Sequence, residues 1–501
     1  MKTEGGIMER RKFVVSALSA VAVTYAGHTK ASEHRNTDLS LSKSVDNINI
    51  SLKEKKIKKS LNLEPEGEGI PLTDWIFGNI RSLFLYLTKD KIDSINASIP
   101  VDVTNELNSA MQDNIPIFLP NGNYIITSSI NVGIRSGLVG AGAKSVLIDN
   151  RSNNHAFVFP VGYDRGTKDF LGFSIESSMG TAKDKYAFYL SSAADGRLNY
   201  SVGWRFIGIE INGQGMGGGW YLQDCFRVTI RDCGASSLSN PFYLAGSVVQ
   251  LTVDNFVNNG DNQPRTNIGS YGVYMTTKKY SDANEIKMPE GITFINCKFV
   301  KQEVGAHALG LYVQFVNTEF DYSSKFGGFY AGGDKVDFIN CYVGTAHVRN
   351  NDFVAFMVQA HASKVPEPVL ISNCTINMQK NDSDGYKSYG VILSGEKDFI
   401  SGAKVVDCFF RGNGYENCIL VKRVDGVIID HNTFKVGGEN VKVESAKNIT
   451  ITNNFALGKY SLPNPGPDYC WIITGNTGDF SDVDLSEAKK SLIVNQGLMR
   501  N

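Results

Sequence analysis

Carboxylates, histidines and an arginine gather between residues 303 and 352 of the chain. The segments that hold them are CKFVKQEVGAHALG, TEFDYSSKFGG and YVGTAHVRNNDF. The side chains in question are Glu303, His307, Glu319, Asp321, His347, Arg349 and Asp352. Two carboxyl groups about 5–5.5 Å apart, or about 6.5–9.5 Å apart, can hydrolyse a glycosidic bond with retention or inversion. A base beside a cation can instead cleave the glycosidic bond by elimination, at a sugar unit that carries a carboxylate. The cluster therefore predicts acid–base chemistry.

Asp321 is the leading carboxylate for hydrolysis because it ends a strand-like segment, which would hold it better than a loop would. Glu319 lies two residues earlier and so points to the same side of a strand. Glu303 would belong to the preceding repeat and pair with Asp321. Asp224 and Asp254 are the next candidates.

Elimination needs a base and a positive charge instead of a second carboxylate. His307, Tyr312 and His347 are the candidate bases, and Arg349 is the candidate cation. The spacing does not decide between hydrolysis and elimination.

A tyrosine recurs at one position of a repeated apolar phrase. The phrases are KYAFYLSS, GGWYLQDC, NPFYLAGS, YGVYMTT, LGLYVQF and GGFYAGG. The tyrosines are Tyr189, Tyr221, Tyr243, Tyr274, Tyr312 and Tyr330. Neighbouring residues of a strand point to opposite faces. If Phe242 and Leu244 point inward, Tyr243 points outward, and the other five are expected to follow it.

Three interpretations of this outward tyrosine column remain open. Aromatic faces and hydroxyls bind sugars, so the column predicts a polysaccharide groove. Tyrosine is also favoured in subunit contacts, which would fit a homotrimer. Stacked aromatic residues can, finally, do no more than stabilise the strands.

A second phrase follows each tyrosine phrase and defines the elements that position these side chains. It reads VTIRDCGA, ITFINCKF, VDFINCYV, VLISNCTI, VVDCFFRG, IIDHNTFK or ITITNNFA. Each is a short alternating strand, an Asn or Asp, and another short strand. Asn and Asp tolerate the left-handed conformation that a sharp corner needs. Three short strands and three corners per repeat predict one coil of a parallel β-helix.

Five cysteines occupy the position directly after this corner residue. They are Cys233, Cys297, Cys341, Cys374 and Cys408. Residues at one coil position form a column inside such a helix, so we expect buried free thiols that act as small apolar fillers. There is no Cys-x-x-Cys spacing, and no metal or cofactor is expected.

The region before the repeats supplies a cap and carries a family resemblance. DVTNELNSAMQ reads as a helix with Asp102 or Thr104 as N-cap, and LTDWIFGNIRSLFLYL before it also looks helical. IFLPNGNYII follows, and then a Gly-x-Gly corner at Gly140 and Gly142. This block is similar to the pectate-lyase-like superfamily, and most similar to the entry region of phage tailspike depolymerases. The resemblance implies an all-β, single-stranded right-handed parallel β-helix with an N-terminal capping helix.

The chain divides into five predicted segments. Residues 1–31 resemble a twin-arginine export signal, with Arg10 and Arg11 ahead of an apolar stretch. Residues 32–70 read as a polar linker, 71–110 as the capping region, 111–475 as the β-helix and 476–501 as a tail. A formal net charge of −1 argues against a nucleic-acid partner. No stable membrane span is expected after the leader.

These observations predict an exported enzyme that degrades a bacterial capsular or exopolysaccharide, by hydrolysis or by elimination at a uronic acid. A carbohydrate-binding adhesin without catalysis is the alternative. A tailspike receptor-binding protein on a phage virion is another.

Overall fold

A computed structural model describes residues 80–162, 168–179, 184–191, 200–213, 217–260, 270–281, 286–345, 351–360, 369–379, 385–395, 399–463, 470–483 and 492–494. Within them the chain forms a right-handed parallel β-helix, as predicted. Each coil adds one strand to each of three parallel stacks. The predicted leader and linker lie outside the described residues.

The first stack contains the strands with the tyrosine phrase. Its members are Ile130–Asn131, Phe157–Phe159, Tyr186–Leu190, Gly218–Gln223, Asn240–Ala245, Tyr271–Thr276, the beginnings of Val304–Val316 and Phe326–Ile339, Phe353–Ala360, Ser388–Gly395, the beginnings of Asn417–Asp425 and Glu439–Ala446, and the ends of Phe455–Leu462 and Thr477–Val483.

The second stack ends at the Asn or Asp corner. Its members are Arg81–Ser82, Pro116–Leu119, Gly137–Gly140, Lys168–Leu171, Ser201–Val202, Trp204–Ile207, Cys225–Arg231, Val249–Asp254, Glu290–Ile295, the ends of Val304–Val316 and Phe326–Ile339, Leu370–Ser372, Ile400–Ser401, Lys404–Val406, Val427–Asp430, Asn448–Thr452, Cys470–Thr474 and Leu492–Val494.

The third stack follows that corner. Its members are Val101–Asp102, Gly122–Ile126, Val146–Asn150, Ser174–Glu176, Glu210–Asn212, Gly234–Ser236, Val257–Asn259, Lys298–Val300, Glu319–Ser323, Tyr342–Thr345, Thr375–Met378, Phe409–Gly412, Thr433–Lys435, and the beginnings of Phe455–Leu462 and Thr477–Val483.

The interior is filled by columns of side chains that stack from coil to coil. Phe188, Trp220 and Phe242 stack on the inner side of the first stack, with ring centroids 5.4 and 5.3 Å apart. These rings are fully buried. The apolar area removed from water along such columns is the main stabilising contribution of the fold.

The corner between the second and third stacks behaves as the sequence predicts. Asn296, Asn317 and Asn340 have φ values of 55°, 51° and 53°, which is the left-handed region. The five predicted cysteines are buried free thiols. In later coils asparagines take over this inner column, where Asn432 Nδ2 donates to Asn454 Oδ1 over 3.0 Å.

The N-terminal cap is confirmed at its second helix and differs before it. Helices Lys89–Asn96 and Thr104–Gln112 cover the first coils. Asp102 Oδ1 accepts the Thr104 N–H over 2.9 Å, although Val103 is the residue that precedes the helix. The described part of 72–87 is not an α-helix but strand Arg81–Ser82 and a single 3₁₀ turn, Leu83–Tyr86.

At the other end, strand pairing continues past residue 475, where a tail was expected. Thr477–Val483 pairs in parallel with Phe455–Leu462, and Leu492–Val494 pairs with Cys470–Thr474. The apolar alternation of these late strands is short, which is why the sequence alone does not reveal them.

Candidate functional site

The outer face of the first stack carries a column of aromatic rings. Tyr189, Tyr221, Tyr243 and Tyr274 are directly paired in successive strands, as predicted. The column then continues with His307 and Phe329, and not with further tyrosines. His155 stacks on the first tyrosine, with ring centroids 3.9 Å apart. We call these seven residues the ring column.

The rings of the column stack on one another. Successive centroids are separated by 4.7 Å from Tyr189 to Tyr221, 4.9 Å to Tyr243, 5.2 Å to Tyr274 and 4.8 Å to His307. Ring faces therefore point at neighbouring coils, and edges and hydroxyls point outward. A sugar would meet this row of edges and hydroxyls, so the expected stacking of pyranose rings on exposed aromatic faces does not fit these rings.

Tyr312 does not belong to the ring column, contrary to the prediction. It lies at the corner between the first and second stacks with φ 56°, and it is 53% exposed. The strand Val304–Val316 runs through this corner without a break, so it contains two apolar phrases. The position in register with Tyr274 is His307, five residues before Tyr312.

Tyr330 also departs from the prediction, by one residue. Phe329 occupies the outward position, and Tyr330 is buried with only 1% exposed. Its hydroxyl donates to the Gly333 carbonyl over 2.7 Å. A shift of one residue moves a side chain to the other face of a strand. Tyr312 and Tyr330 therefore do not continue the outward column along which a polysaccharide groove was predicted.

A second set of rings lies beside the column, three residues earlier in the chain. The Tyr271 ring contacts the edge of Tyr274 at 4.8 Å, and Phe326 stacks on Phe329 at 5.0 Å. The Tyr186 ring approaches Tyr221 at 5.3 Å. An analysis of the sequence that considers only the alternation of side chains along a strand, with a period of two, does not find these residues. A repeated aromatic-x-x-aromatic spacing is the signal that could have found them.

His307 is the titratable side chain within the column whose geometry suits a base. Its Nδ1 lies 3.1 Å from the Met275 carbonyl, which can only accept, so Nδ1 carries the proton. The other ring nitrogen, Nε2, is then unprotonated in the neutral form. Burial lowers the pKa of His307, despite the bond to Met275 that acts in the opposite direction. The imidazole is therefore neutral at pH 7.

His155 closes the other end of the column with the opposite tautomer. Its Nδ1 accepts the Tyr186 N–H over 3.0 Å, which places the proton on Nε2. Burial, and then the charge of Lys185, lower the pKa of His155 to about 4. This histidine is held as a neutral structural residue.

Glu303 lies directly before the strand that holds His307, close enough to Tyr271 to act on its pKa. Its side chain is 13% exposed, and its carboxylate lies 3.7 Å from Lys325 Nζ. The Tyr271 ring lies 6.1 Å from that of His307. Burial, followed by the charge of Glu303, raises the pKa of Tyr271, so this phenol keeps its proton. The structure thus brings together a neutral base, a protonated phenol and a carboxylate–ammonium pair.

The other two predicted carboxylates face another direction. Glu319 and Asp321 belong to the third stack, in Glu319–Ser323. Glu319 forms an ion pair with Lys298 at 2.8 Å. Asp321 Oδ1 accepts the Tyr322 N–H over 3.0 Å, and its carboxylate bends over Gly344, which has no side chain to obstruct it. Asp321 thus lies within a third-stack strand, whereas Glu303 lies after the next corner, directly before a first-stack strand.

Arg349 and His347 lie outside the described residues. Asp352 precedes a first-stack strand, and its Oδ1 accepts the Lys387 N–H over 2.9 Å. Asp254, one of the two reserve candidates, lies at the end of a second-stack strand, 3.7 Å from Arg231 Nε.

Asp224, the other reserve candidate, is fully buried at the corner where the first stack leads into the second. Its carboxylate accepts from Ser247 N–H over 3.0 Å, from Gln223 Nε2 over 3.3 Å and from the Tyr280 hydroxyl. Lys278 Nζ lies 4.0 Å away. A carboxylate enclosed in this way is suited to holding structure in place.

A further acid that the sequence reading missed lies on the third stack. Burial raises the pKa of Glu210, whose carboxylate bends over Gly234. It lines a cleft of about 380 Å³ together with Asp232, Asn255 and Val257. No repeated phrase marks Glu210, and it lies on a different face from the ring column.

Comparisons with known proteins give this chain neither a family nor an activity. No family model matches the chain, and no curated protein gives a significant match. A solved structure of PfbA, a surface adhesin of Streptococcus pneumoniae, shares 14% identity over 76% of this chain and 92% of its own, with a TM-score of 0.49. DFA-IIIase from Arthrobacter chlorophenolicus A6 shares 10% over 70% and 94%, with a TM-score of 0.45.

The catalytic unit of a GH87 alpha-1,3-glucanase from Streptomyces thermodiastaticus shares 13% identity over 82% of this chain and 70% of its own, with a TM-score of 0.43. At identities and TM-scores this low, these likenesses carry no argument about what this chain does. Across the described ranges, no helix is long and apolar enough to cross a membrane, and no three His, Cys, Asp or Glu side chains are placed to hold a metal ion.

Proposed function

We propose that the protein binds an acidic polysaccharide along the ring column and cleaves it in the coil of His307, by elimination at a uronic acid. The observation that carries this proposal is the position of His307. It is a neutral imidazole inside the outward column, and its tautomer is fixed by the Met275 carbonyl.

The step needs a base, an acid and compensation of the substrate charge. His307 Nε2 removes the proton from the carbon that bears the uronate carboxylate. The electron pair forms a carbon–carbon double bond as the bond to the glycosidic oxygen breaks. The Tyr271 hydroxyl donates its proton to that oxygen. Solvent then returns the proton from His307 to Tyr271.

Lys325 supplies the positive charge that offsets the uronate carboxylate while the carbanion develops. Its ammonium lies 3.7 Å from Glu303, which positions it beside Tyr271. Electrostatic stabilisation of developing charge is commonly the largest single contribution to catalysis. Glu303 would thus act as a positioning residue for Lys325.

Elimination is favoured over hydrolysis because the expected carboxylate pair is split. Hydrolysis needs two carboxyl groups across one glycosidic bond. Glu303 lies directly before the first-stack strand Val304–Val316, whereas Glu319 and Asp321 lie within the third-stack strand Glu319–Ser323. His307 and Tyr271 lie in adjacent coils of the first stack, and their ring centroids are 6.1 Å apart, so a base and an acid are present side by side.

The test is incubation of the purified protein with alginate, polygalacturonate, hyaluronate and a panel of bacterial capsular polysaccharides. New reducing ends and the ultraviolet absorbance of an unsaturated uronate should rise together. Reducing ends without that absorbance would mean hydrolysis and would overturn the mechanism. Binding without either product would establish the rival function, that of a non-catalytic adhesin.

His307→Gln should then lose activity by about 10²–10⁴, the usual worth of a general base. The matched control is His431→Gln, since His431 is an exposed histidine at a distant corner, paired with Asp430 at 2.7 Å. Loss in both variants, or in neither, would remove His307 from the mechanism.

Export through the twin-arginine-like leader and assembly as a homotrimer are part of the same proposal. Mass spectrometry of the mature protein should find a new N-terminus after Ala31. Light scattering of the purified protein should give three times the chain mass.

A further inference from the structure

A second column of residues lies at the corner where the first stack leads into the second. The residues on both sides of this corner are paired in register from coil to coil, and each corner residue has a φ between 54° and 64°. In one of these coils a short antiparallel pair, Lys278–Lys279 and Ile286–Lys287, leaves the β-helix directly before the corner. The corner residues, which we call the corner column, are Arg227, Gln250, Gly291, Tyr312 and Lys335.

Neither the backbone nor the packing accounts for the tyrosine of this column. A left-handed conformation suits glycine and asparagine, and a bulky aromatic residue is uncommon there. Tyr312 is 53% exposed, so its ring removes little apolar area from water. Within the described ranges its side chain takes part in no hydrogen bond and no ring stacking. The fold therefore holds an exposed aromatic ring at a fixed corner without using it for its own stability.

Gly291 leaves one side of the Tyr312 ring uncovered. It holds the corner position in the preceding coil, where the other members of the column carry a side chain. A Cβ on Gly291 would find its nearest atom beyond its chain neighbours 3.8 Å away, the backbone nitrogen of Gln250. Gln250 and Tyr312 are two coil spacings apart, about 9.6 Å. The space between them is a slot, bounded by an amide on one side and an aromatic ring on the other.

Charged side chains of both signs border the slot. Arg227 and Lys335 lie at the two ends of the corner column, and Arg227 Nε donates to Gln250 Oε1 over 3.4 Å. Glu290 and Asp334 are exposed, and they lie in register one residue before the corner, in the coils on either side of the ring. Two cations and two carboxylates give no net attraction to a uronate. Carboxylate and amide oxygens do, however, accept hydrogen bonds from sugar hydroxyls.

We propose that the slot between Gln250 and Tyr312 is an accessory site that binds a neutral pyranose ring of a polysaccharide, stacked on the uncovered face of Tyr312. The C–H groups of the sugar contact the aromatic ring, as apolar groups do at other aromatic faces. The sugar hydroxyls donate to the oxygens at the border of the slot. The ring column cannot bind a sugar in this way, because each of its ring faces is covered by the next ring.

The inference rests on the proposed function and adds a second attachment point for the polymer. Tyr312 lies five residues after His307 in one strand, about 16 Å away, so the slot acts on attachment and not on cleavage. A polymer held at a second point has a higher effective concentration at the first stack. The substrate would then contain neutral sugar units beside its uronic acids.

The experiment measures the dissociation constant for the acidic polymer that the panel identifies, in a His307→Gln background so that the polymer stays intact. Tyr312→Ala should weaken binding about two- to tenfold, the scale of one stacked aromatic pair. Tyr312→Phe keeps the ring and should bind like the parent protein. In the active protein, Tyr312→Ala should raise KM for the polymer and leave kcat unchanged. An equal loss in the Ala and Phe variants would show that the hydroxyl, and not a stacked ring, makes the contact.

Gly291→Asn tests the slot without a change to the tyrosine. Asparagine tolerates the left-handed conformation, and its side chain would occupy the space beside the ring. This variant should weaken binding as much as Tyr312→Ala does, and parent affinity would show that the slot is not the site. The matched control is Tyr322→Ala, which removes a 39% exposed tyrosine with φ 52° from the third stack and should keep parent affinity.

The accessory site and the proposed cleavage fail in different ways. Parent affinity in Tyr312→Ala, an equal loss in Tyr322→Ala, or a cleaved polymer made of uronic acids alone would overturn the accessory site and leave the elimination intact. Binding without cleavage, weakened by Tyr312→Ala, would overturn the elimination and leave the accessory site intact.

Discussion

The first and third stacks carry similar side chains on their outer faces and use them differently. On the first stack, Tyr271 and His307 lie among stacked rings, and Glu303 lies beside Tyr271 at the start of the same coil as His307. On the third stack, Glu319 is paired with Lys298, and the Tyr342 hydroxyl accepts from Asn377 Nδ2 over 3.2 Å. Burial shifts the pKa of His307 and Tyr271. The proposed chemistry therefore belongs to the face on which the base and the acid lie side by side.

One pair of tyrosine variants tests the difference between the first and third stacks most directly. Tyr271→Phe removes the proposed acid and should lower kcat by about 10²–10⁴. Tyr342→Phe makes the same change on the third stack and should leave kcat within a factor of about two, like most surface substitutions. Steady-state kinetics on the cleaved polymer measure both. An equal loss in the two variants would mean that the faces do not differ.

Removal of a buried tyrosine should lower the stability of the fold much more than removal of an exposed one. Tyr330→Ala removes a fully buried ring and should destabilise the fold by about 3–5 kcal/mol. Tyr312→Ala removes an exposed ring and should change stability by no more than about 0.5 kcal/mol. Thermal melting of both variants checks this. A larger effect at Tyr312 would place that side chain in a contact that the fold does not show.

The pH dependence of cleavage follows from His307. Its pKa is lowered by burial, and the unprotonated form is the active base. kcat/KM should therefore fall as the pH drops through a value below 6.5, and stay level above it. The rate profile between pH 4 and 8 measures that value. A midpoint above 6.5 would assign the titration to another group.

Protonation of His155 should have a smaller effect, which acts on the pH dependence of folding stability. Its folded pKa of about 4 lies below the ordinary value of 6.5. Above pH 6.5 both folded and unfolded states are neutral, so there is no contribution. Between 6.5 and 4 the unfolded state binds the proton first, and stability declines as the pH falls. His155→Gln should reduce this decline in a series of melting curves, and an unchanged decline would exclude His155 as its source.

The fold could be predicted from the sequence because its signals are local and repeated. An Asn or Asp corner followed by cysteine recurs from Asp232 to Asp407, and each of these corner residues adopts the left-handed conformation. The outward alignment of the tyrosines from Tyr189 to Tyr274 could be predicted as well, because inward apolar residues fix the register between adjacent coils.

The site could be predicted only in part, because the face to which a side chain points depends on where each coil turns. The phrases around Tyr312 and Tyr330 resemble the earlier tyrosine phrases. Tyr312, however, lies five residues after the outward position of its strand, and Tyr330 lies one residue after it. Glu303 and His307 are predicted from their residue types and their clustering, and His307 lies in the ring column. Asp321 is predicted from its place in a strand-like segment, and it lies on the third stack. Its face could not be predicted, because the position of the next corner cannot be read from a single repeat.

The central claim is that the outer face of the first stack is the working face. The most direct test is a crystal structure of the His307→Gln variant with an oligosaccharide of the cleaved polymer. The sugar chain should lie along Tyr243, Tyr274 and Phe329, with one carboxylate beside Lys325. A chain bound on the third stack, beside Asp321 and Tyr342, would contradict the account.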